Sequence, residues 1–441
     1  MKIKVPSLKT IGYLLFFIYC FFSDLFDAVL GTGFRLGIFI LSLVCLFIGS
    51  KARLVVTKSN VIVIILVLTM VLINNQGIKN GTYMPMVNFL VYLMIAIFIK
   101  NSPECYGSMM KIIMRLGFIH VLATFFFLIF PSLYSVINRI WSRPAGGTVN
   151  GRYGYRAALS DHYSGNGIMI AITYIAIFAF ILALSNTNMK AKRRALMALF
   201  VLALFAVVLT TKRAHLLFGL AAIIFVYYFC NPEKMNSRTF KLILILAVLV
   251  VFLLIFADDL PYIGDILRRF EEMDEDTHMM SRYRLWEHAF EMFARSPIIG
   301  NGWMSFRLEF AQYLARAREG SNTYMNAHNI YIQLLAEVGI VGTLLFVLIV
   351  AFLLFTAFKL LRAYNKKQFE TKLSMEPLYF ASMFLVFFLM YGMTGNCLYD
   401  KTQPYFFVIC GMIMGYKDQY ILLLKQRRAE EYVGRALPEK I

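Results

Sequence analysis

The side chains best suited to chemistry are one histidine and a set of widely separated cations. His328 heads the segment His328-Asn329-Ile330-Tyr331, upstream of Glu337 and of Gly339-Ile340-Val341-Gly342. An imidazole titrates near neutrality, so it can take a proton from a hydroxyl as that hydroxyl attacks an electrophile. Lys212-Arg213, Arg156 and the segment Arg282-Tyr283-Arg284-Leu285-Trp286 supply the complementary chemistry. A guanidinium is a planar fork that grips phosphate in two places, and fixed cations stabilise charge growing on a departing phosphate. Each candidate also has a plainer reading. A lone histidine at a helix start can cap the helix, external arginines can pair with the acids of 258–327, and Lys212-Arg213 can snorkel to an interface. His215 reads as a packing or local capping residue. The run Glu271-Glu272-Met273-Asp274-Glu275-Asp276 has the acid–x–acid spacing of a metal site, but it is so acidic and poorly framed that it reads as solvated loop. No metal, cofactor or phosphate-cradling P-loop is expected.

The elements that must position these groups are membrane spans. The chain has 441 residues, 60% hydrophobic and 16% charged, and apolar runs of about twenty residues recur through it, as in a polytopic membrane protein. Backbone groups in lipid must bond internally, so the runs are expected to be helices and the fold all-α. Spans are expected at about 11–30, 34–49, 60–74, 82–99, 113–130, 166–185, 195–211, 214–230, 240–257, 340–360, 377–396 and 403–422. The first follows Lys2, Lys4 and Lys9 like a signal peptide, but no small-residue cleavage site follows it, and it reads as a retained span. The resulting division is spans one to nine in 1–257, an external segment at 258–339, and three spans with a tail in 340–441.

The net charge of +19 would suggest nucleic acid in a soluble protein; here it reflects the positive-inside rule. With both termini cytoplasmic, each short cytoplasmic loop carries at least three basic residues, while the external segments carry fourteen arginines and only Lys79, Lys212 and Lys401. Lysine suffices to retain a loop, so an arginine-rich external face points to an anionic, phosphate-bearing substrate. The loop 131–165 adds Arg139, Arg143, Arg152 and Arg156 among glycines, before Asp161 and His162; it reads either as an anion cradle or as a basic loop touching headgroups. The six cysteines form no CxxC pair and read as packing residues.

Local spacing places the candidates. Residues 281–294 read as a helix with Arg282 and Trp286 on one face, ending before Pro297. Residues 328–338 read as an amphipathic helix with His328, Tyr331 and Leu335 on one face and Asn329, Gln333 and Glu337 on another. Lys212 and Arg213 sit in a tight turn between two spans. Asp24 and Asp27, within the first span, either face a cavity or pair with Arg35.

The order of these features resembles the O-antigen ligase and repeat-unit polymerase family of bacterial envelope proteins. The resemblance rests on Arg282-x-x-x-Trp286, Pro297-x-x-Gly300-x-Gly302, and His328-Asn329-x-Tyr331 through Glu337-x-Gly339-x-x-Gly342. Arg213 looks like the family's external arginine after a Thr/Ser-rich span end, with Lys212 where the family usually has serine. The resemblance implies a GT-C-like, metal-independent glycosyltransferase at the periplasmic or extracellular face of the cytoplasmic membrane. Its donor would be an undecaprenyl-pyrophosphate-linked oligosaccharide and its acceptor a sugar hydroxyl, with a chain-length regulator as a further partner. His328, Arg213 and Arg282 would be catalytic; Arg284, Arg156, Lys212, Asn329 and Trp286 would bind substrate. A repeat-unit polymerase is the first expectation and a ligase the second. A flippase for lipid-linked sugars is the alternative of another class, although no internal repeat is visible and the candidate charges gather at one surface.

Overall fold

The computed structural model describes residues 7–51, 64, 83–134, 151–184, 188–230, 277–316 and 325–436. The expected spans at 60–74 (apart from residue 64) and 240–257, the acidic run 271–276, and Arg139 and Arg143 lie outside the described residues. The other ten expected spans are helical. They are α1 (Leu8–Val29), α2 (Gly31–Gly49), α3 (Tyr83–Lys100), α4 (Tyr106–Ile129), α5 (Tyr163–Ala183), α6 (Lys190–Leu209), α7 (Arg213–Cys230), and then α10 (Ile330–Asn365), α11 (Glu376–Gly392) and α12 (Gln403–Ala436). Between them lie α8 (Thr277–Arg295) and α9 (Ser305–Arg316). Among the described residues, six helices are long and apolar enough by length and composition to cross a membrane. The chain is an all-α polytopic membrane protein.

The bundle is arranged around α5, which is buried along almost its whole length and packs against α4, α6, α7 and α11. Lipid tails give apolar helices no reason to associate, so close approach at small residues carries the packing. A Cβ on Gly117 of α4 would lie 1.9 Å from Thr173 Oγ1 of α5, and one on Gly219 of α7 would lie 1.6 Å from the Tyr174 hydroxyl. That hydroxyl donates to the His215 carbonyl oxygen at 2.6 Å. Cys20, Cys45, Cys105, Cys397 and Cys410 are buried free thiols that pack. The acids of α1 divide their partners: Asp27 pairs with Arg35 at 3.4 Å, whereas Asp24 pairs with Lys401 in the α11–α12 loop.

Two features depart from the expected pattern. Residues 305–316 form a helix that the apolar spacing does not announce. The helix expected at 328–338 starts instead at Ile330, because Asn329 is its N-cap: the Asn329 side-chain oxygen accepts from the N–H groups of Tyr331 and Ile332 at 3.0 and 3.2 Å. His328 therefore precedes the helix, with φ at 52°.

That helix runs into the following span as one element, α10, broken at Gly339 (φ 63°, ψ −168°). The break frees carbonyl and N–H groups that a continuous helix would pair, and the turn after Pro297 satisfies them. Asn301 N–H and Gly302 N–H donate to the Ala336 and Glu337 oxygens at 3.1 and 2.7 Å. In return, Ile340 N–H and Val341 N–H donate to the Pro297 and Ile298 oxygens at 2.9 and 3.1 Å. The two glycine motifs are thus the two sides of a single backbone interlock.

Candidate functional site

The site assembles at the end of the bundle where α5 and α7 begin. Thr210 caps the end of α6, its hydroxyl donating to the Val207 oxygen at 2.7 Å, and Thr211 turns the chain with φ at 61°. This turn holds Lys212 beside the start of α5, where its ammonium lies 4.4 Å from the Tyr163 ring centroid. His162 caps α5: its Nδ1 accepts the Ser164 N–H at 3.1 Å. Accepting at Nδ1 leaves the neutral ring's proton on Nε2.

The second wall is α8. Leu285, Ala289 and Met292 pack with Phe306 and Phe310 of α9 and with Ala336 of α10, forming a small apolar core of their own. This core fixes the rotation of α8. Trp286 then points at the segment before α10 and its indole N–H donates to the Ala327 oxygen at 2.9 Å. One residue on, the His328 N–H donates to the Asn396 side-chain oxygen at 3.1 Å. An indole from α8 and an amide from the α11–α12 loop therefore grip the two polar edges of the Ala327–His328 peptide, directly before the His328 Cα.

A buried carboxylate holds the remaining geometry. Glu337 accepts from the Met304 and Phe306 N–H groups at 3.0 and 3.2 Å, from Gln333 at 3.0 Å, and from the Tyr399 hydroxyl. It thereby caps the start of α9 and ties that helix to the first leg of α10 and to the α11–α12 loop. The Asn301 side chain adds bonds to the Met292 and Ala336 oxygens at 2.6 and 2.8 Å. Asn329 and Gln333 do not lie together as the assumed face required, because Asn329 is spent on capping; Gln333 and Glu337 do share a buried face.

Electrostatics link four of these groups. The His328 imidazole is held below its ordinary basicity by burial first, then by the positive charges of Arg282 and Lys212. His162 is pushed down to about 4 by burial, by Lys212 and by His328. Arg282, Lys212, His162 and His328, from four separate parts of the chain, thus share one electrostatic environment.

Other expected residues lie at the margins of this cluster. Arg213 follows Lys212 as the first residue of α7. Arg284 is exposed on α8, two residues and so roughly half a turn from Arg282. Arg156 is buried in the short helical turn Gly151–Arg156, and its carbonyl oxygen accepts from Asn166 of α5 at 3.0 Å. Asn166 also meets Thr124 and His120 of α4, so Arg156 is set by the foot of α5 and belongs to its neighbourhood. His215 is buried within α7, its ring 5.0 Å from that of Tyr391. Among the described residues no cluster of three His, Cys, Asp or Glu side chains could hold a metal.

Asn396, Tyr399 and Glu337 escape the sequence reading as supporting residues, and so does His162 as a partner of His328. His162 is visible as an ionisable residue before an apolar run, a capping position. Asn396 carries no local signal, since its relation to His328 spans 68 residues.

Residues 198–347 match the family model described as O-antigen ligase. This chain carries an O-antigen ligase family domain. The matched stretch takes in the Lys212 turn, α7, α8 with Arg282 and Trp286, the Pro297–Gly302 turn, His328 and the Gly339 break. It therefore contains three of the four groups that converge, His162 being the one outside it. Comparison with curated proteins gives no match. The match supports membrane glycan processing of the O-antigen ligase type, and the apolar helices make the chain an integral membrane protein.

Proposed function

We propose that this chain joins glycan repeat units at the outer face of the cytoplasmic membrane, drawing them from an undecaprenyl-pyrophosphate donor. The observation that carries the proposal is the Trp286 bond to the Ala327 oxygen at 2.9 Å, which sets the arginine-bearing face of α8 beside His328; the influence of Arg282 and Lys212 on the imidazole agrees with it. Burial first, and then the charges of Arg282 and Lys212, favour the neutral form of His328, which is the form able to accept a proton at neutral pH. In the reaction the acceptor hydroxyl gives its proton to the imidazole as its oxygen bonds to the anomeric carbon. The bond from that carbon to the pyrophosphate oxygen breaks, and the electron pair leaves with the lipid pyrophosphate. Arg213, Arg282 and Lys212 hold the growing charge, with Arg284 and Arg156 as outer contributors. The imidazolium so formed is compensated by the departing anion, so the repulsion that favours a free base in the resting site is relieved during the step.

Trp286 and Asn329 act by position. The indole N–H and the Asn329 oxygen are both engaged by backbone, and together they set where His328 stands. The lysine- and arginine-rich start of α6, at Lys190, Lys192, Arg193 and Arg194, lies at the opposite end of that helix from Lys212. This arrangement supports a site that faces outward with both termini in the cytoplasm.

The test uses the purified full chain in liposomes with undecaprenyl-pyrophosphate oligosaccharide as the sole glycan, without nucleotide sugar. A ladder of longer lipid-linked glycans is expected, and it is lost in His328→Ala at normal protein levels. The matched family description favours a second reading, a ligase; transfer only when a separate lipid-anchored sugar acceptor is added would establish that one. Movement of intact donor between leaflets with no new bond would replace both by a flippase.

A further inference from the structure

The turn between α8 and α9 carries Pro297, Ile298 and Ile299, and Ile298 and Ile299 are 65% and 44% exposed. Isolated exposed apolar side chains are ordinary, but these are pinned to a particular depth. Residues 340–358 of α10 contain no charged side chain, and Lys359 follows them. At 1.5 Å per residue that stretch spans about 28 Å, the thickness of a bilayer's hydrocarbon core. Ile340 and Val341, 45% and 37% exposed, therefore stand at one edge of the hydrocarbon. The backbone bonds from Ile340 N–H to Pro297 O and from Val341 N–H to Ile298 O, at 2.9 and 3.1 Å, bring the turn to that same edge. Its two isoleucines continue the exposed apolar stripe formed along α10 by Leu344, Val347 and Leu348. Arg295, exposed and ion-paired with Glu309, sits just before the turn, where headgroups would lie.

We propose that Pro297–Ile299 is a wedge inserted into the lipid leaflet, the partner being the bilayer itself. The α8–α9 pair then does not hang from the bundle in water. It is fastened to α10, by the backbone interlock and by Glu337, and to lipid by the wedge. The depth of the wedge sets the height of Arg282 and Trp286 on α8 above the hydrocarbon, and so the height at which the site meets a headgroup. This inference does not depend on which reaction the site performs.

The experiment places a cysteine at Ile298, and separately at Ile299, in the full-length chain. Each variant is labelled with the fluorophore NBD and reconstituted in phosphatidylcholine vesicles. Labelling of the unsubstituted protein gives the background, and Glu287→Cys, on an exposed charged position of α8, gives an aqueous comparison. Elution as the same species as the unsubstituted protein confirms that the fold is kept. The expected result is blue-shifted emission at 298 and 299, at least twofold quenching by lipid carrying a nitroxide high on its acyl chain, and little quenching by aqueous iodide. At 287 iodide is the stronger quencher. Iodide quenching at 298 and 299 equal to that at 287 would overturn the proposal. Protection from both quenchers would overturn it as well, by showing that another protein surface, such as a second copy, covers the turn.

Discussion

Gly300 and Gly339 each stand where a side chain of their own would collide with the backbone of the other's segment. A Cβ on Gly300 would lie 2.3 Å from the Glu337 carbonyl oxygen, and one on Gly339 would lie 2.4 Å from that of Ile298. Gly339 also has φ and ψ of 63° and −168°, a region essentially closed to other residues. Gly339→Ala is therefore expected to lose roughly 1–3 kcal/mol to backbone strain alone, before the collision is added. Thermal unfolding in detergent checks this, and Gly342→Ala, which has no positive φ but whose Cβ would crowd the stiff Val338 side chain, shows the cost of a collision without that backbone strain.

Trp286 is expected to matter through its N–H. Trp286→Phe keeps most of the ring but frees the Ala327 oxygen, loosening the backbone before His328. Losing one such bond corresponds to a fall of roughly threefold to tenfold in kcat/KM, with the protein's thermal stability little changed. Equal activity in the Phe variant would show that the ring's bulk alone positions the histidine.

The cations beside His328 should be legible in a pH profile. Burial and the charges of Arg282 and Lys212 hold the imidazole below its ordinary value. Activity therefore persists below pH 6.5 and is lost only as pH falls through the depressed value, where the base becomes protonated. Lys212→Gln removes one of the charges, so the imidazole gains basicity and the acid limb of kcat/KM moves to higher pH. Arg282→Gln should shift it in the same direction, and lower the plateau by about a hundredfold if that residue also holds the leaving group. A limb unmoved in both variants would assign it to another group.

His162 provides a separation of roles. Its Nδ1 caps α5 while Nε2 carries the proton, and at about 4 its titration leaves the ring neutral at pH 7. His162→Asn retains a capping oxygen and deletes the far N–H; His162→Gln places an amide near the position of that N–H. If the Nε2–H meets substrate, the Asn variant raises KM about tenfold at normal stability, a scale of about one hydrogen bond to a charged group, and the Gln variant restores part of the loss. If capping alone matters, the Asn variant behaves as the parent.

The interlock gives a further expectation for Glu337. Glu337→Ala leaves the Met304 and Phe306 N–H groups and the Tyr399 hydroxyl without their acceptor in a buried place, a loss of roughly 1–3 kcal/mol for each donor that water does not reach. Glu337→Gln keeps an oxygen and should cost less. Thermal denaturation of the two variants side by side tests this; equal melting points would show that the carboxylate is not what holds α9 to α10.

The helical, membrane-spanning character of this chain was legible in its sequence because lipid leaves the backbone one economical answer to its hydrogen bonds, and apolar runs announce it. Ten expected spans are helices for that reason. Arg282 and Trp286 were placed on one face by spacing alone, and the Lys212 turn by the shortness of the link between α6 and α7. The glycines of 300, 302, 339 and 342 were visible as motifs, yet nothing local showed that they belong to one interlock, since the two strands of it lie about forty residues apart. The start of α10 was misplaced by two residues because a capping asparagine and a helical asparagine read alike until the N–H groups it accepts are seen. The meeting of His162, Lys212, Arg282 and His328, and the grip of Asn396 on the His328 backbone, were decided only by the tertiary structure. Periodicity reports which way a side chain faces on its own helix; which helix stands opposite is set by packing across the bundle around α5.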